Sequence, residues 1–313
     1  MREIPSELAD QQIGASGTRV SVIVPVLDDF ERLRICLRAL ERQTWPKAQL
    51  EVLVVDNGSR GDIGPVLEPF DFVRLLREAA PGSYSARNRA LPEARGEVLA
   101  FTDADCVPDA EWIAQGVAAL QQAGGKAVVG GDVEVFPRDG DHPTWAEDFE
   151  LALGFSQQSY IEEKHYCATA NMFTSPEIFA QVGPFNDALK SGGDQEWGQR
   201  AFAAGVPLVY AKSAIVRHPA RHTFAQLFKK RARLVGGHLG IAREQHPEWL
   251  AFSKVMVKAC LPPVERVLRA RRTKSSGTKG WRRDARVLAV AVSLQAYSVV
   301  ELMRLRMGGE PVR

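Results

Sequence analysis

The chain reads as an α/β protein, a mostly parallel sheet flanked by helices and followed by a basic helical extension, and three observations carry that reading. Short apolar runs alternate with helical spacings through the first 125 residues, several of those runs stop abruptly at aspartates, and positive charge is gathered at the C-terminal end. Strand, helix and strand in succession make the βαβ unit of a parallel sheet. The carboxyl ends of such strands are where open α/β sheets bind ligands.

Residues 19–26 are β-branched and apolar and give the first strand, with Pro25 near its end, where a missing ladder donor is tolerated. Asp28 and Asp29 follow, and Leu33, Cys36, Leu37 and Leu40 then recur at helical spacing. Residues 51–55 form the second strand, stopped by the turn signal Asp56-Asn57-Gly58-Ser59. A third strand is predicted at 72–76, and Pro81-Gly82-Ser83 opens a helix carrying Arg87, Asn88 and Arg89 that Gly96 closes. Residues 98–101 are continuously apolar, as expected of a strand buried on both faces. Asp109 is the expected cap of a helix whose apolar positions are Trp112, Ile113, Gly116, Val117 and Leu120.

Beyond it, 126–136 is strand material interrupted by glycines, 143–160 is helical and aromatic, and 166–173 is a strand. Ser175-Pro176 starts a helix with the favoured first-turn proline. Another helix runs from Asp194 to Gly205, 207–211 is a strand, and His218 ends a further extended run. From Thr223 the chain is helical, interrupted at Pro262-Pro263 and by a polar, basic linker at 271–280.

Length and composition fit a soluble globular enzyme with one large domain and an appendage: 313 residues, 45% apolar and 25% charged. The net charge of +2 hides a segregation, because residues 221–313 carry 20 Lys/Arg against 6 Asp/Glu while residues 1–220 carry 20 against 32. An acidic body that holds anionic phosphates needs a bridging cation, and a basic end suits an anionic surface. Cys36, Cys106, Cys167 and Cys260 have no C-x-x-C pairing and no export signal precedes them, so neither zinc nor a disulfide framework is indicated and a cytoplasmic location is expected. Residues 1–18 are read as a flexible lead-in. No basic surface interleaved with aromatics is present, so nucleic acid is not an expected partner. The last apolar stretch, 287–302, contains several polar residues and is expected to fall short of a membrane-spanning helix. It reads either as a packed helix or as one lying on an anionic membrane, flanked as it is by Arg282, Arg283, Arg286, Arg304 and Arg306.

The chemistry centres on Asp103 and Asp105, which end the 98–101 strand with one small residue between them. In an extended segment alternate side chains point the same way, and hard oxygen ligands of this kind hold Mg²⁺ or Mn²⁺. The same pair also suits turns and caps. Asp194 stands at a helix start, where a carboxylate serves either as a dipole cap or as a general base. It shares a face with Trp197 and Ala201, whereas Glu196 and Arg200 make an i, i+4 pair of a structural kind. His218 is open to a core or surface role as well as a ligand role, and Arg87 to solvation as well as to a nucleotide contact.

Several motifs occur together in a fixed order: Val22-Ile-Val-Pro-Val26, Val54-Val-Asp-Asn-Gly-Ser59, Ser85-Ala-Arg-Asn-Arg89, Phe101-Thr-Asp-Ala-Asp105, Gly193-Asp-Gln-Glu196 and His218. Over residues 19–240 the series resembles the family 2 glycosyltransferases of GT-A fold. The resemblance implies transfer of one sugar, with inversion, from a nucleoside-diphosphate sugar to an acceptor hydroxyl. The donor expected is UDP-linked in preference to GDP-linked, the cofactor Mn²⁺ or Mg²⁺, and the acceptor a glycan or lipid-linked precursor in cell-surface polysaccharide or glycolipid synthesis. It divides the chain into a nucleotide-binding half at 19–125, an acceptor-binding half at 126–220 and the basic helical region at 221–313. By position, Pro25, Asp28 or Asp29, Asp56 and Arg87 match nucleotide-sugar contacts. Asp105 matches the direct metal ligand, Asp103 a ribose or water-bridged contact, His218 a further metal ligand and Asp194 the catalytic base, with Glu196 in reserve.

Two departures stand out. Gly193 replaces the acidic residue that commonly precedes the base, and Lys230-Arg-Ala-Arg-Leu234 has the basic part of the motif of processive synthases without its tryptophan, which favours single-sugar transfer. Two other readings are a sugar nucleotidyltransferase, which needs a Gly-rich phosphate loop that Pro25-Val-Leu-Asp-Asp29 does not supply, and a silent membrane-surface scaffold of the same fold.

Overall fold

The computed structural model describes residues 17–140, 142–261 and 281–312. The lead-in up to residue 16, Pro262-Pro263 and the 271–280 linker lie outside the described residues. One eight-stranded sheet forms the centre: β1 (Val20–Val26), β2 (Leu50–Asp56), β3 (Val73–Arg77), β4 (Val98–Thr102), β5 (Val107–Pro108), β6 (Val128–Phe136), β7 (Asn171–Thr174) and β8 (Leu208–Pro219), in the order 3-2-1-4-7-6-8-5. Strands 1 to 4 are mutually parallel, β7 runs antiparallel to both β4 and β6, β6 and β8 are parallel, and β5 is antiparallel to β8. Pro25 sits just past the point where β4 stops pairing with β1, so no donor is missed on that side.

Alternation along the strands sorts side chains into two cores. Val22, Val24 and Val26 face α1 (Phe30–Glu41) and α4 (Trp112–Gln122), with Leu33, Leu37, Leu40, Trp112 and Val66 of the short α2 (Gly64–Leu67) buried among them. Ile23, Leu53, Leu99 and Phe101 face the other way, toward α3 (Ser83–Ala90), α7 (Pro176–Val182) and α8 (Gly193–Ala203), where Phe179, Phe185 and Trp197 stack. Fully burying each such aromatic contributes about 1.5–3 kcal/mol.

Two expectations change. The segment before Asn171 is not extended, because strand pairing starts only there. Asp109 does not cap α4, whose N-cap is Glu111; its carboxylate pairs with Arg217 at 3.1 Å instead. Asn171 is the joint of the distal half. It accepts from Trp112 Nε1 at 2.8 Å and donates to the Asp132 and Ala214 carbonyls at 2.7 and 2.8 Å, pinning the bulge between Gly131 and Asp132.

Helices α5 (Trp145–Leu153) and α9 (Phe224–Gln245) begin in capping boxes, Thr144 with Glu147 and Thr223 with Gln226. Between them α6 (Gln157–Lys164) covers β6 through Ile161. The C-terminal layer adds α10 (Glu248–Cys260) and α11 (Trp281–Arg306). Leu227 of α9 packs with Val287, Val290 and Leu294, and Val235 and Leu239 pack with Leu302 and Leu305. Helix α11 corrects the expectation that the final stretch is too short to span, because its 26 residues are long and apolar enough, by length and composition, to cross a membrane. The helix gains turns at both ends beyond 287–302, and Arg283, Ser298 and Glu301 are buried against the protein. Arg286 pairs with Asp148, Ser298 accepts from Arg231, and Glu301 is buried against Arg304.

Candidate active site

Asp103 and Asp105 lie on a turn, not on an extension of β4, which ends at Thr102. The Cys106 amide donates to the Asp103 carbonyl at 3.0 Å, and Ala104 points into the core. The turn still gathers both carboxylates: Asp103, Asp105 and the Cys106 sulfur offer ligand atoms within 4.8 Å of one another. Cys106 is fully buried, and burial, with the two aspartates adding to it, pushes its thiol well up, so it stays protonated and leaves the oxygens as the donors.

His218 reaches this turn through strand register. Val107 pairs with Arg217 across β5 and β8, so the next step outward sets His218 opposite Cys106 and beside Asp105. Its Nε2 lies 3.6 Å from Asp105 Oδ2, while Nδ1 sits 2.8 Å from the Pro219 carbonyl and donates to it. The Nε2 edge of the ring therefore faces the carboxylate. Carboxylate oxygens and an imidazole nitrogen gathered at one turn, from Asp103, Asp105 and His218, are donors that fit a divalent ion.

On the other side of the turn, Arg87 donates to Asp103 Oδ1 at 2.5 Å and is 2% exposed. Its guanidinium lies over the Tyr84 ring, 5.7 Å from the centroid, and the Tyr84 hydroxyl donates to Asp194 Oδ1 at 3.1 Å. Burial raises Asp194 above the usual carboxylate range, and Arg87, the Gln195 amide and Tyr84 work in the opposite direction. Asp194 sits where it does because Gly192 takes φ +82° at the helix cap and Gly193 leaves room for Tyr84, whose ring a Cβ at 193 would meet at 2.7 Å. The missing acidic neighbour is thus explained by the tyrosine that fills its place.

The remaining predicted residues divide. Asp29 joins the site through Arg32, which lies 3.2 Å from it and 3.7 Å from Asp105, and burial together with Asp105 raises Asp29 against the pull of Arg32. Asp28, at φ 53°, instead accepts from the Arg60 amide, and Asp56 from the Ser59 amide, so both shape the loop ends after β1 and β2. Glu196 is held by Arg200 at 2.5 and 3.1 Å and is not free to act as a base. Sequence reasoning missed Tyr84 and Arg32. The signal for Tyr84 was its place one turn before Arg87 on the same helix face.

This is the architecture of a GT-A glycosyltransferase. The chain belongs to glycosyl transferase family 2, whose model matches residues 21–184. It is 37% identical over 228 residues to the glycosyltransferase AglE of Haloferax volcanii, an alignment covering 71% of this chain and 73% of that one. In structure it is similar to the mannosyltransferase PcManGT of Pyrobaculum calidifontis in complex with GDP-Man and Mn²⁺, at a TM-score of 0.61 and 18% identity, covering 95% and 89% of the two chains. It is also similar to residues 1–349 of S. aureus TarS in complex with UDP, at 0.52 and 16% identity, covering 93% and 92%.

Proposed function

We propose that this glycosyltransferase transfers one sugar from a nucleoside diphosphate to an acceptor hydroxyl with inversion, using Asp194 as general base and a divalent cation held by Asp105, Asp103 and His218. The observation that carries the reading is the double use of one turn, with Asp105 facing His218 and Asp103 joined through Arg87 to the surroundings of Asp194. Mn²⁺ or Mg²⁺, when bound, offsets the negative charge that develops on the departing nucleoside diphosphate. Arg87 fixes Asp103, and Asp194 takes the proton of the acceptor hydroxyl as it attacks the sugar. Its raised pKa makes it a stronger base than an exposed aspartate. Pro25, Asp28, Asp29 and Asp56 contribute to the donor side through the loops after β1 and β2. These assignments follow the 19–125 and 126–220 division of the sheet.

The donor is UDP-linked or GDP-linked, with UDP preferred from the sequence; the two structural relatives were solved with UDP and with GDP-Man. The acceptor belongs to a cell-surface polysaccharide or glycolipid precursor, and the enzyme works against the inner face of an anionic membrane. An exposed apolar stripe on α11 supports that placement: Trp281, Leu288, Val292, Val300, Met303 and Met307 recur along one face. The opposite face keeps Arg286, Ser298 and Glu301 paired within the protein, so the helix lies on the membrane and does not span it. The test is release of UDP or GDP from a panel of nucleotide sugars with membrane-lipid acceptors. The reading expects release from one donor, abolished by a chelator and restored by Mn²⁺; release from none would refute it.

A further inference from the structure

The cleft beside Asp105 has a second wall that the chemistry above leaves unused. The cleft holds about 320 Å³, and besides Asp29, Asp105 and His218 it is lined by Arg221, Gln226, Lys229, Lys230 and Arg233. Positions 226, 229, 230 and 233 recur as i, i+3, i+4 and i+7, so one face of α9 looks into the cleft while Leu227, Val235 and Leu239 pack with α11. Two of these cations are already matched. Lys230 lies 2.7 Å and Arg221 3.2 Å from the buried Glu150. Lys229 and Arg233 have no carboxylate partner among the described residues, and Arg233 Nε is buried without a hydrogen bond. A buried guanidinium N–H left unpaired is costly, and a phosphoryl group, with several acceptor oxygens, satisfies a guanidinium and an ammonium together.

The layout points to the acceptor. The carboxylates of the donor side lie on the loops after β1, β2 and β4, whereas Lys229 and Arg233 stand on the helix that links the cleft to α11 and its exposed apolar stripe. An anionic head in the cleft and an apolar chain along the helical layer together describe a lipid phosphate. We propose that Lys229 and Arg233 form a phosphoryl subsite for the acceptor, whose reacting sugar hydroxyl is carried on a lipid-linked phosphate or diphosphate. This rests on the glycosyltransferase reading above and adds the chemical class of its second substrate.

The test titrates farnesyl phosphate, with farnesol as the uncharged control, into the full-length protein with and without saturating UDP or GDP and Mn²⁺. Farnesyl phosphate is expected to bind at least about tenfold more tightly than farnesol. The double variant K229Q/R233Q loses about tenfold for farnesyl phosphate and keeps its nucleotide affinity within about twofold. Lys229→Gln alone, at an exposed position, gives part of that loss and decides the matter if the double variant does not fold. Equal binding of the phosphate and the alcohol overturns the inference, as does unchanged farnesyl phosphate binding in the variants. Loss of nucleotide binding in the variants also overturns it and assigns the two cations to the donor diphosphate. Failure of nucleotide to bind the unaltered protein counts against the donor reading instead, and the nucleotide-free titration still decides the subsite.

Discussion

The Tyr84 hydroxyl donates to Asp194 Oδ1 at 3.1 Å, across 110 residues of chain, and among the described residues it is the one side-chain hydrogen bond the proposed base receives. Donation to the charged form favours the carboxylate and partly offsets the rise caused by burial. Tyr84→Phe therefore raises the Asp194 pKa further. A pH–rate profile should show the acid limb of kcat displaced to higher pH, with the alkaline plateau reduced by less than about tenfold. An unmoved limb would mean that Asp194 is not the titrating base.

Asp194→Asn removes the base while keeping its shape. Turnover is expected to fall about 10²–10⁴-fold with nucleotide affinity nearly unchanged, measured by single-turnover transfer and by nucleotide titration. A variant with wild-type rate would remove Asp194 from the mechanism.

Gly193→Ala pushes a Cβ into the Tyr84 ring at 2.7–3.0 Å. The ring is buried, so its displacement should destabilise the fold by about 1–3 kcal/mol and break the bond to Asp194. The double variant with Tyr84→Phe would share the loss of activity with the single variants instead of multiplying it.

How much of this was legible in the sequence follows from the kind of interaction involved. Strands β1, β2 and β4 were readable because each is a local apolar run that stops at or within two residues of an aspartate, and β3 because Val73, Leu75 and Leu76 precede the Pro81-Gly82 turn signal. The Asp103 turn was found for its residue types, although the expected alternation along an extended strand was the wrong geometry. His218 was raised to a ligand only by resemblance, because its approach to Asp105 depends on the β5–β8 register, a long-range pairing that no local pattern encodes. Asp109 was misread for the same reason, its partner Arg217 lying 108 residues away. The cationic face of α9 was visible as a charge run, but only the fold shows that Glu150 matches Lys230, together with Arg221 of the preceding loop, and leaves Lys229 and Arg233 unmatched.

Glu150 gives the protein an acid-sensitive joint between α5, the loop after β8 and α9. Burial pushes its carboxyl up, but Lys230 and Arg221 outweigh that and bring it down to about 2. A folded-state pKa below the unfolded value of 4.5 contributes stability that is fully present above pH 4.5 and is lost as the pH falls toward 2. Glu150→Gln should cost on the order of 2–3 kcal/mol at pH 7 and flatten the acid side of the stability curve, as read by denaturant titration at several pH values.

The exposed stripe of α11 predicts sedimentation with vesicles containing anionic lipid, weakened by salt. The variant V292D/V300D should lose most of this binding while keeping its melting temperature, because both side chains face solvent. Binding equal to wild type would place the contact elsewhere.

The most direct measurement is calorimetric titration of UDP and of GDP into the full-length protein, with and without Mn²⁺, repeated on Asp105→Ala. Tight binding of one nucleotide that requires Mn²⁺ and disappears in the variant is the predicted result, since Asp105 is the carboxylate that faces both His218 and the cleft, while Asp103 is tied to Arg87. Nucleotide binding that is indifferent both to Mn²⁺ and to the loss of Asp105 would contradict a metal-assisted transfer at this turn.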